Sequence, residues 1–563
     1  MPADRDSQFA DLRAPSGVEP RDRVGRGLPV NGGPARGGVA PAPPQWTREH
    51  PSWPPPRQPW PARDYESAWQ RPDALDNTGQ FRAALSSFGP RKAKKLHHRL
   101  SRWKPRYWPL VVSFLVILVI VGWFTEPYAG PLGLALTVLW TWPILCTLVG
   151  IRGIRRTRKA LRESAARWQD ERPVICEDFL VVVVPSIGRH DTYPALERSV
   201  LSFIAYLPTC FPKLRIDLVI DEGCEAAGRI RRLAGRSPLV RLVVVPRHYR
   251  TRHGTKFKAR ANHFAHELRI YEREDCDDVW ILHMDDDTGV GPDTAVAMAR
   301  FIEEQFEAGR DAKHLAQGIL TYPREYAVNR LTWLADSVRP ADDAARFSAM
   351  TGRGTPRAGL HGELLLVRAS VEAQIGWDFG PHSIVEDAEF ALIFCELFKG
   401  RSAWFGGRCY GASPASIRDF IRQRERWCWG LAGLVFNRSM RRRDRAFLGY
   451  SMVSWVFGPL QNVSVVLLVG ILIAAPNTAP ISLFIVPLWV LNTAYTVWMY
   501  WEGLRLNAGV SAHGRGRRKF WEPFAVVLLI PFFGMLEGIG GLRGFLKFAR
   551  RAENKFIVIA KPS

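Results

Sequence analysis

Apolar positions along the chain fall into three regimes. Residues 1–90 show neither helical nor strand periodicity and are rich in Pro, Gly, Arg and Ala. Such a segment cannot bury enough apolar surface to offset the entropy of ordering, and a disordered cytosolic tail is expected there. Residues 107–124 and 131–151 are nearly unbroken apolar runs. At ~1.5 Å per residue, each can cross a hydrocarbon core of ~30 Å. From 176 to 426 the pattern changes: short apolar runs at 179–184, 214–220, 240–245 and 279–284 alternate with helical patterns such as 195–207 and 294–306. That alternation predicts an α/β domain with a parallel sheet and crossover helices. Long apolar stretches return at 447–475, broken at Gly458-Pro459, and at 481–501 and 521–541, the last containing Pro531 and Glu537. Gly534 and Gly538 form a G-x-x-x-G in that last stretch, which predicts close helix packing.

The expected organisation is therefore a tail at 1–90, a basic flank with two transmembrane helices at 91–151, a cytosolic α/β domain with interfacial helices at 152–445, and a membrane region of three or four segments with a basic tail at 446–563. Charge supports this division. The formal net charge of +23 could suggest a nucleic-acid binder, but the basic residues crowd beside apolar blocks, at 91–106, 152–162, 440–445 and 515–519. Cations there act as positive-inside flanks that meet membrane lipids, and no nucleic-acid motif accompanies them. The eight cysteines show no C-x-x-C pair or zinc spacing, which fits reduced cytosolic thiols.

Candidate chemistry collects at the strand ends. The run V-W-I-L-H-M-D-D-D-T at 279–288 places three carboxylates where a strand stops. Open α/β sheets bind ligands at that edge. Alternate residues of an extended end point the same way, so Asp285 and Asp287 can share one divalent ion while Asp286 faces elsewhere. The plainer alternative is a solvated acidic turn. Asp221 closes the 214–220 strand and suits a base or ribose hydroxyl, or a simple turn. Lys258 and Asn262 are four apart and share a helical face, able to reach a nucleotide together or to form a solvated basic face. Glu386 and Asp387 open an apolar helical pattern, where the helix dipole favours an ionised carboxylate fit to act as a general base. Gln423, Arg426 and Trp427 project from one helix face and offer an amide, a fork for phosphate oxygens and a flat ring, or else belong to a basic helix lying on the membrane.

Taken together, the Asp-x-Asp, Glu-Asp and Gln-x-x-Arg-Trp motifs, flanked by apolar spans, resemble the membrane-embedded family 2 glycosyltransferases, which include cellulose, chitin and hyaluronan synthases. The stretches H-M-D-D-D-T, Q-G-I-L-T-Y, N-R-L-T-W-L-A-D-S-V-R-P-A-D-D, V-E-D-A-E-F and R-Q-R-E-R-W look most like the Egghead branch, β-1,4-mannosyltransferases that extend a glucosyl lipid. The resemblance implies an inverting transferase with a GT-A, Rossmann-like cytosolic domain embedded in transmembrane helices. It further implies Mg²⁺ or Mn²⁺ at Asp285 and Asp287, and donor contacts from Asp221, Lys258, Asn262, Asp285, Gln423 and Arg426. Asp387 becomes the base beside Glu386, with Trp427, His361 and Gly362 lining the acceptor site. GDP-mannose and a lipid-linked sugar are the implied substrates. A processive synthase using a UDP-sugar is the alternative, and a transporter or scaffold that merely binds nucleotide is a third reading. The spans offer few polar residues to line a channel, chiefly Gln461, Asn462, Asn492 and Glu537, which favours single addition.

Overall fold

The computed structural model describes residues 138–170, 174–437, 439–474, 485–508, 510–511, 514–515 and 520–550. The expected tail at 1–90 and the expected span at 107–124 lie outside the described residues.

Helix α1 (Ile144–Asp170) leads into a sheet whose first strands form where the apolar runs predict them: β1 (Phe179–Ser186), β2 (Leu214–Asp221), β3 (Val240–Val245) and β4 (Val279–His283). They run parallel in the order β3-β2-β1-β4. β1 carries four valines in a row and is buried from Leu180 onward, as a strand covered on both faces must be. Helices α2 (Tyr193–Tyr206), α3 (Ala227–Ala234) and α4 (Phe257–Tyr271) make the crossovers. The chain passes to one side of β1 with β2 and to the other with β4, so the crevice of this doubly wound arrangement opens beyond the carboxyl ends of those two strands.

The rest of the sheet departs from the parallel expectation. After β5 (Gly289–Val290), α5 (Pro292–Ala308) and β6 (Leu315–Thr321), the chain runs through α6 (Arg330–Asp336), α7 (Val338–Asp342), a π turn at Asp343–Phe347 and α8 (Ser348–Thr351). It returns as β7 (Leu365–Arg368), inserted between β4 and β6 and antiparallel to both. With β8 (Ser402–Tyr410) the order becomes β3-β2-β1-β4-β7-β6-β8-β5, a mixed Rossmann-like sheet. β7 has only four residues, too few for a period to reveal its direction.

Helices α9 (Ala369–Ile375), α10 (Glu386–Leu397), α11 (Ile417–Phe436), α12 (Arg442–Ala474), α13 (Ile485–Asn507) and α14 (Glu522–Ala549) complete the described chain. Among the described residues, α14 is long and apolar enough to cross a membrane by length and composition. α12 continues through Pro459 instead of breaking there. The opposing residue is Gly538, where a Cβ would stand 2.0 Å from Pro459 Cδ, so the absence of a side chain on α14 makes room for the ring. Gly534 likewise faces Asn462, and Gly540 and Gly544 face Arg424 and the Glu425 carbonyl of α11. The G-x-x-x-G stretch thus packs α14 against helices of its own chain. Polar residues of the expected spans are satisfied between helices: Asn492 accepts from Thr147 (2.9 Å) and donates to the Trp140 carbonyl (2.8 Å), and Gln461 donates to the Leu139 carbonyl (2.9 Å).

Candidate active site

The acidic run sits where β1 and β4 part. Ser186, the last residue of β1, donates its hydroxyl to Asp286 Oδ2 at 2.7 Å and ties the two strand ends together. Asp285 is met by the Lys258 ammonium from the first turn of α4, and Asp287 is buried. The register of β4 is pinned from behind. Fully buried Glu372 of α9 accepts from Arg269 of α4 (2.5 Å) and Trp377 Nε1 (2.6 Å) and contacts His283 Nε2 (2.8 Å). Burial would push the Glu372 carboxyl up, but Arg269 and His283 overcome it and hold the group ionised.

Facing the acidic run, α10 presents Glu386 and Asp387 in its first turn, and α11 presents Gln423, Arg426 and Trp427. α11 begins at Ser416, whose Oγ accepts from the Asp419 amide at 3.1 Å. These residues, with Asp221, Lys258, His361 and Gly362, line one cavity of about 650 Å³. Its other end is walled by α12 and α13, through Leu448, Met452, Trp455, Tyr495, Met499 and Tyr500.

Three expectations need correction in detail. Asn262 shares a helical face with Lys258 but does not line the cavity: one turn further along α4 it is 1% exposed, turned into the protein. Gln423 reaches the cavity, and its carbonyl oxygen already accepts from Arg424. Trp427 is not a bare platform: the guanidinium groups of Arg339 and Arg424 lie 4.5 and 4.8 Å from its ring centroid. Arg424 is itself fully buried, paired with Asp336 of α6 and with Glu537 Oε1 of α14 at 2.9 Å. At the far edge, Asp221 pairs with Arg260.

Sequence reasoning missed Glu363 and Arg339, both in the cavity wall. Glu363 directly follows the His361-Gly362 turn and shares a hydrogen bond with Asp285. Its carboxyl is pushed well up, first by burial and then by the Asp285 charge. Burial also raises Glu386 to about 7, with Lys258 opposing and Asp387 adding to the shift. Burial alone would depress Lys258, but Asp285, Glu386 and Glu363 more than offset it and keep the ammonium charged. Gly362 makes that arrangement possible, since a Cβ there would stand 2.3 Å from Lys258 Nζ. His361 is held by Asp343 at 2.6 Å, and its backbone N–H donates to Gln317 Oε1 at 2.9 Å.

The site therefore concentrates hard oxygen donors, with carboxyls crowded enough that Glu363 resists ionisation, and that donor set fits Mg²⁺ or Mn²⁺. Among the described residues no three His, Cys, Asp or Glu side chains stand together as a ready ligand set. An ion held by Asp285 and Asp287 would complete its shell with phosphate oxygens and water, as Mg²⁺ commonly does.

Residues 280–501 match the sequence profile of glycosyl transferase family group 2. Over that stretch the chain is similar to family 2 glycosyltransferases. That match takes in Asp285, Asp387 and Arg426, while Asp221 and Lys258 of the same cavity precede it. Among curated relatives of this chain, beta-1,4-mannosyltransferase egh of Drosophila melanogaster is 31% identical over 275 residues, covering 48% of this chain and 56% of the fly protein. Beta-1,4-mannosyltransferase bre-3 of Caenorhabditis elegans is 27% identical over 475 residues, covering 80% of this chain and 96% of the worm protein. The chain thus spans little more than half the length of the fly relative. Among solved structures, a mannosyltransferase from Pyrobaculum calidifontis in complex with GDP-Man and Mn²⁺ aligns at 13% identity with a TM-score of 0.40, covering 74% of this chain and all of that one.

Proposed function

We propose that this glycosyltransferase moves mannose from GDP-mannose onto a lipid-linked sugar in a membrane, forming a β linkage with inversion, from a catalytic domain on the cytosolic side. The observation that carries the reading is the cavity itself. It joins the acidic end of β4, the Glu386–Asp387 pair and Arg426 to an apolar wall supplied by α12 and α13. A nucleotide-sugar fits the first part and a lipid chain the second. The mannosyltransferase relatives favour the donor.

Asp387 accepts the proton of the acceptor hydroxyl as that oxygen attacks the anomeric carbon from the side opposite the leaving nucleotide. One displacement turns an α-linked donor into a β-linked product. Arg426 faces the departing diphosphate with a planar fork suited to its oxygens. Asp285 and Asp287 would hold a divalent ion, which when bound would neutralise charge on that leaving group. Single addition is favoured over a processive synthase because Gln461 and Asn492 are engaged in bonds between helices, not arrayed along a channel.

The test is nucleotide release by the protein in nanodiscs with Mn²⁺ or Mg²⁺ and a mixed lipid extract, comparing GDP-mannose, UDP-glucose and UDP-N-acetylglucosamine. Release from GDP-mannose that rises with the extract, yields one lipid product heavier by a single hexose and is lost in Asp387→Asn supports the proposal. A polymer ladder from a UDP-sugar without added lipid would establish the synthase instead. Nucleotide binding with no release from any donor would leave the transporter or scaffold reading.

A further inference from the structure

The cations of the cavity are unequal. Lys258 is committed to Asp285. Arg346, at the end of the π turn, is held by both carboxylate oxygens of Asp342. Arg424, behind the wall, is shared between Asp336 and Glu537. Arg339 of α7 also lines the cavity, yet among the described residues none of its nitrogens has a hydrogen-bond or ion-pair partner, and its Nε is buried. Its guanidinium rests over the Trp427 ring at 4.5 Å. The nearest acidic side chains are already engaged: Asp343 accepts from the Leu320 amide at 3.0 Å and contacts His361, and Asp336 holds Arg424. The buried Nε has no partner, and the remaining donors of the fork open on the cavity, where an anion can meet them. Stacking on an indole fixes the plane of the fork while leaving its edge available.

The place of Arg339 in the wall says which anion. It belongs to α7, which packs against α13, whose Tyr495, Met499 and Tyr500 form the apolar end. The acidic run occupies the opposite end. We propose that Arg339 binds a phosphate group of the acceptor, so that the acceptor is a phosphate-bearing glycolipid and not a neutral one. This rests on the transfer reading above and specifies the chemistry of its acceptor. A sugar hydroxyl at Asp387 and a lipid chain against α12 and α13 leave the linking phosphate between them, on the Arg339 side of Trp427.

Two measurements test this separately from the transfer reading. The first is calorimetric titration of a short-chain alkyl phosphate and of the matching alkyl glucoside into wild type, Arg339→Gln and Arg339→Lys in nanodiscs, with GDP titrated as control. A salt-bridged hydrogen bond to phosphate should strengthen binding by roughly ten- to a hundredfold. The expected result is alkyl phosphate bound by wild type, weakened by that factor in Arg339→Gln, partly restored in Arg339→Lys, and GDP affinity unchanged throughout. Equal binding of phosphate and glucoside by wild type, or no change on Arg339→Gln, overturns the proposal. A loss of GDP affinity in Arg339→Gln would place the residue on the donor diphosphate and overturn it as well. The second measurement is transfer to glucose-phosphate-lipid and neutral glucosyl-lipid acceptors of equal chain length. Preference for the former, lost in Arg339→Gln through a raised acceptor KM at unchanged donor KM, is expected; equal use of both acceptors overturns it. If wild type transfers to neither, the transfer reading fails while the titration still decides the role of Arg339.

Discussion

Glu389, in the first turn of α10 beside Glu386 and Asp387, offers a direct measure of what burial costs at this site. Its side chain is 8% exposed and does not line the cavity. Burial, with Glu386 adding to it and Ser383 opposing, moves its carboxyl from the ordinary 4.5 up to about 7. An unfolded chain releases this proton near 4.5, while the folded chain holds it to about 7, so across that window the native state binds more protons and stability falls as pH rises. At about 1.4 kcal/mol per pH unit, the full penalty reaches roughly 3 kcal/mol above pH 7 and vanishes below about pH 4.5. Glu389→Gln keeps the shape and removes the charge. The variant should match wild type at pH 5 to within a degree or two and exceed it at pH 8.5 by roughly 5–10 °C in Tm, taking about 2–4 °C per kcal/mol for a domain of this size. Differential scanning fluorimetry of both proteins in one detergent across pH 5–8.5 makes the comparison. An offset that is the same at every pH, or a variant less stable at pH 8.5, would refute the reasoning.

Further outcomes follow from the same geometry. Asp387→Asn should lower transfer by about 10²- to 10⁴-fold while nucleotide affinity, read by calorimetry, stays within a factor of a few. With Glu386 at about 7, the pH profile of kcat/KM should carry an inflection near neutrality that disappears in Glu386→Gln. Gly362→Ala should displace the Lys258 ammonium from Asp285, because the obstructed atom is the tip of a flexible side chain. Its Tm should hold, while metal-dependent nucleotide affinity shifts. Asp336→Asn should strip Arg424 of a buried partner and lower stability by about 3–5 kcal/mol in urea or thermal unfolding.

How much of this was legible in the sequence varied with the kind of signal. The four parallel strands could be read because a strand buried on both faces is apolar at nearly every position, as in F-L-V-V-V-V-P-S, and the carboxylates at their ends could be read because a polar stop after such a run is abrupt. β7 escaped because four residues carry no direction, and with it went the mixed character of the sheet. Glu363 escaped for a different reason. Nothing in H-G-E-L-L-L marks its carboxyl as meeting Asp285, which lies just past the end of β4 and is joined to it only by tertiary packing. Asn262 shows the converse error: helical spacing says which residues share a face, not where along the helix that face turns from ligand to interior. Trp427 was found by motif, but its cationic neighbours came from α7 and from the residue three before it on α11, which motif spacing does not weigh.

The glycine-lined face of α14 has a consequence for how this chain can vary. Gly534, Gly538, Gly540 and Gly544 each stand where one added methyl would collide with α11 or α12, whereas Phe524 and Leu528 on the same helix are 69% and 81% exposed. A saturation library across Glu522–Ala549 should therefore sort into two stripes. One stripe rejects even alanine; the other exchanges apolar residues freely. The boundary between them traces the contact that carries the Gln-x-x-Arg-Trp helix, so the mutational footprint of an apolar helix reports the placement of the helix that lines the cavity.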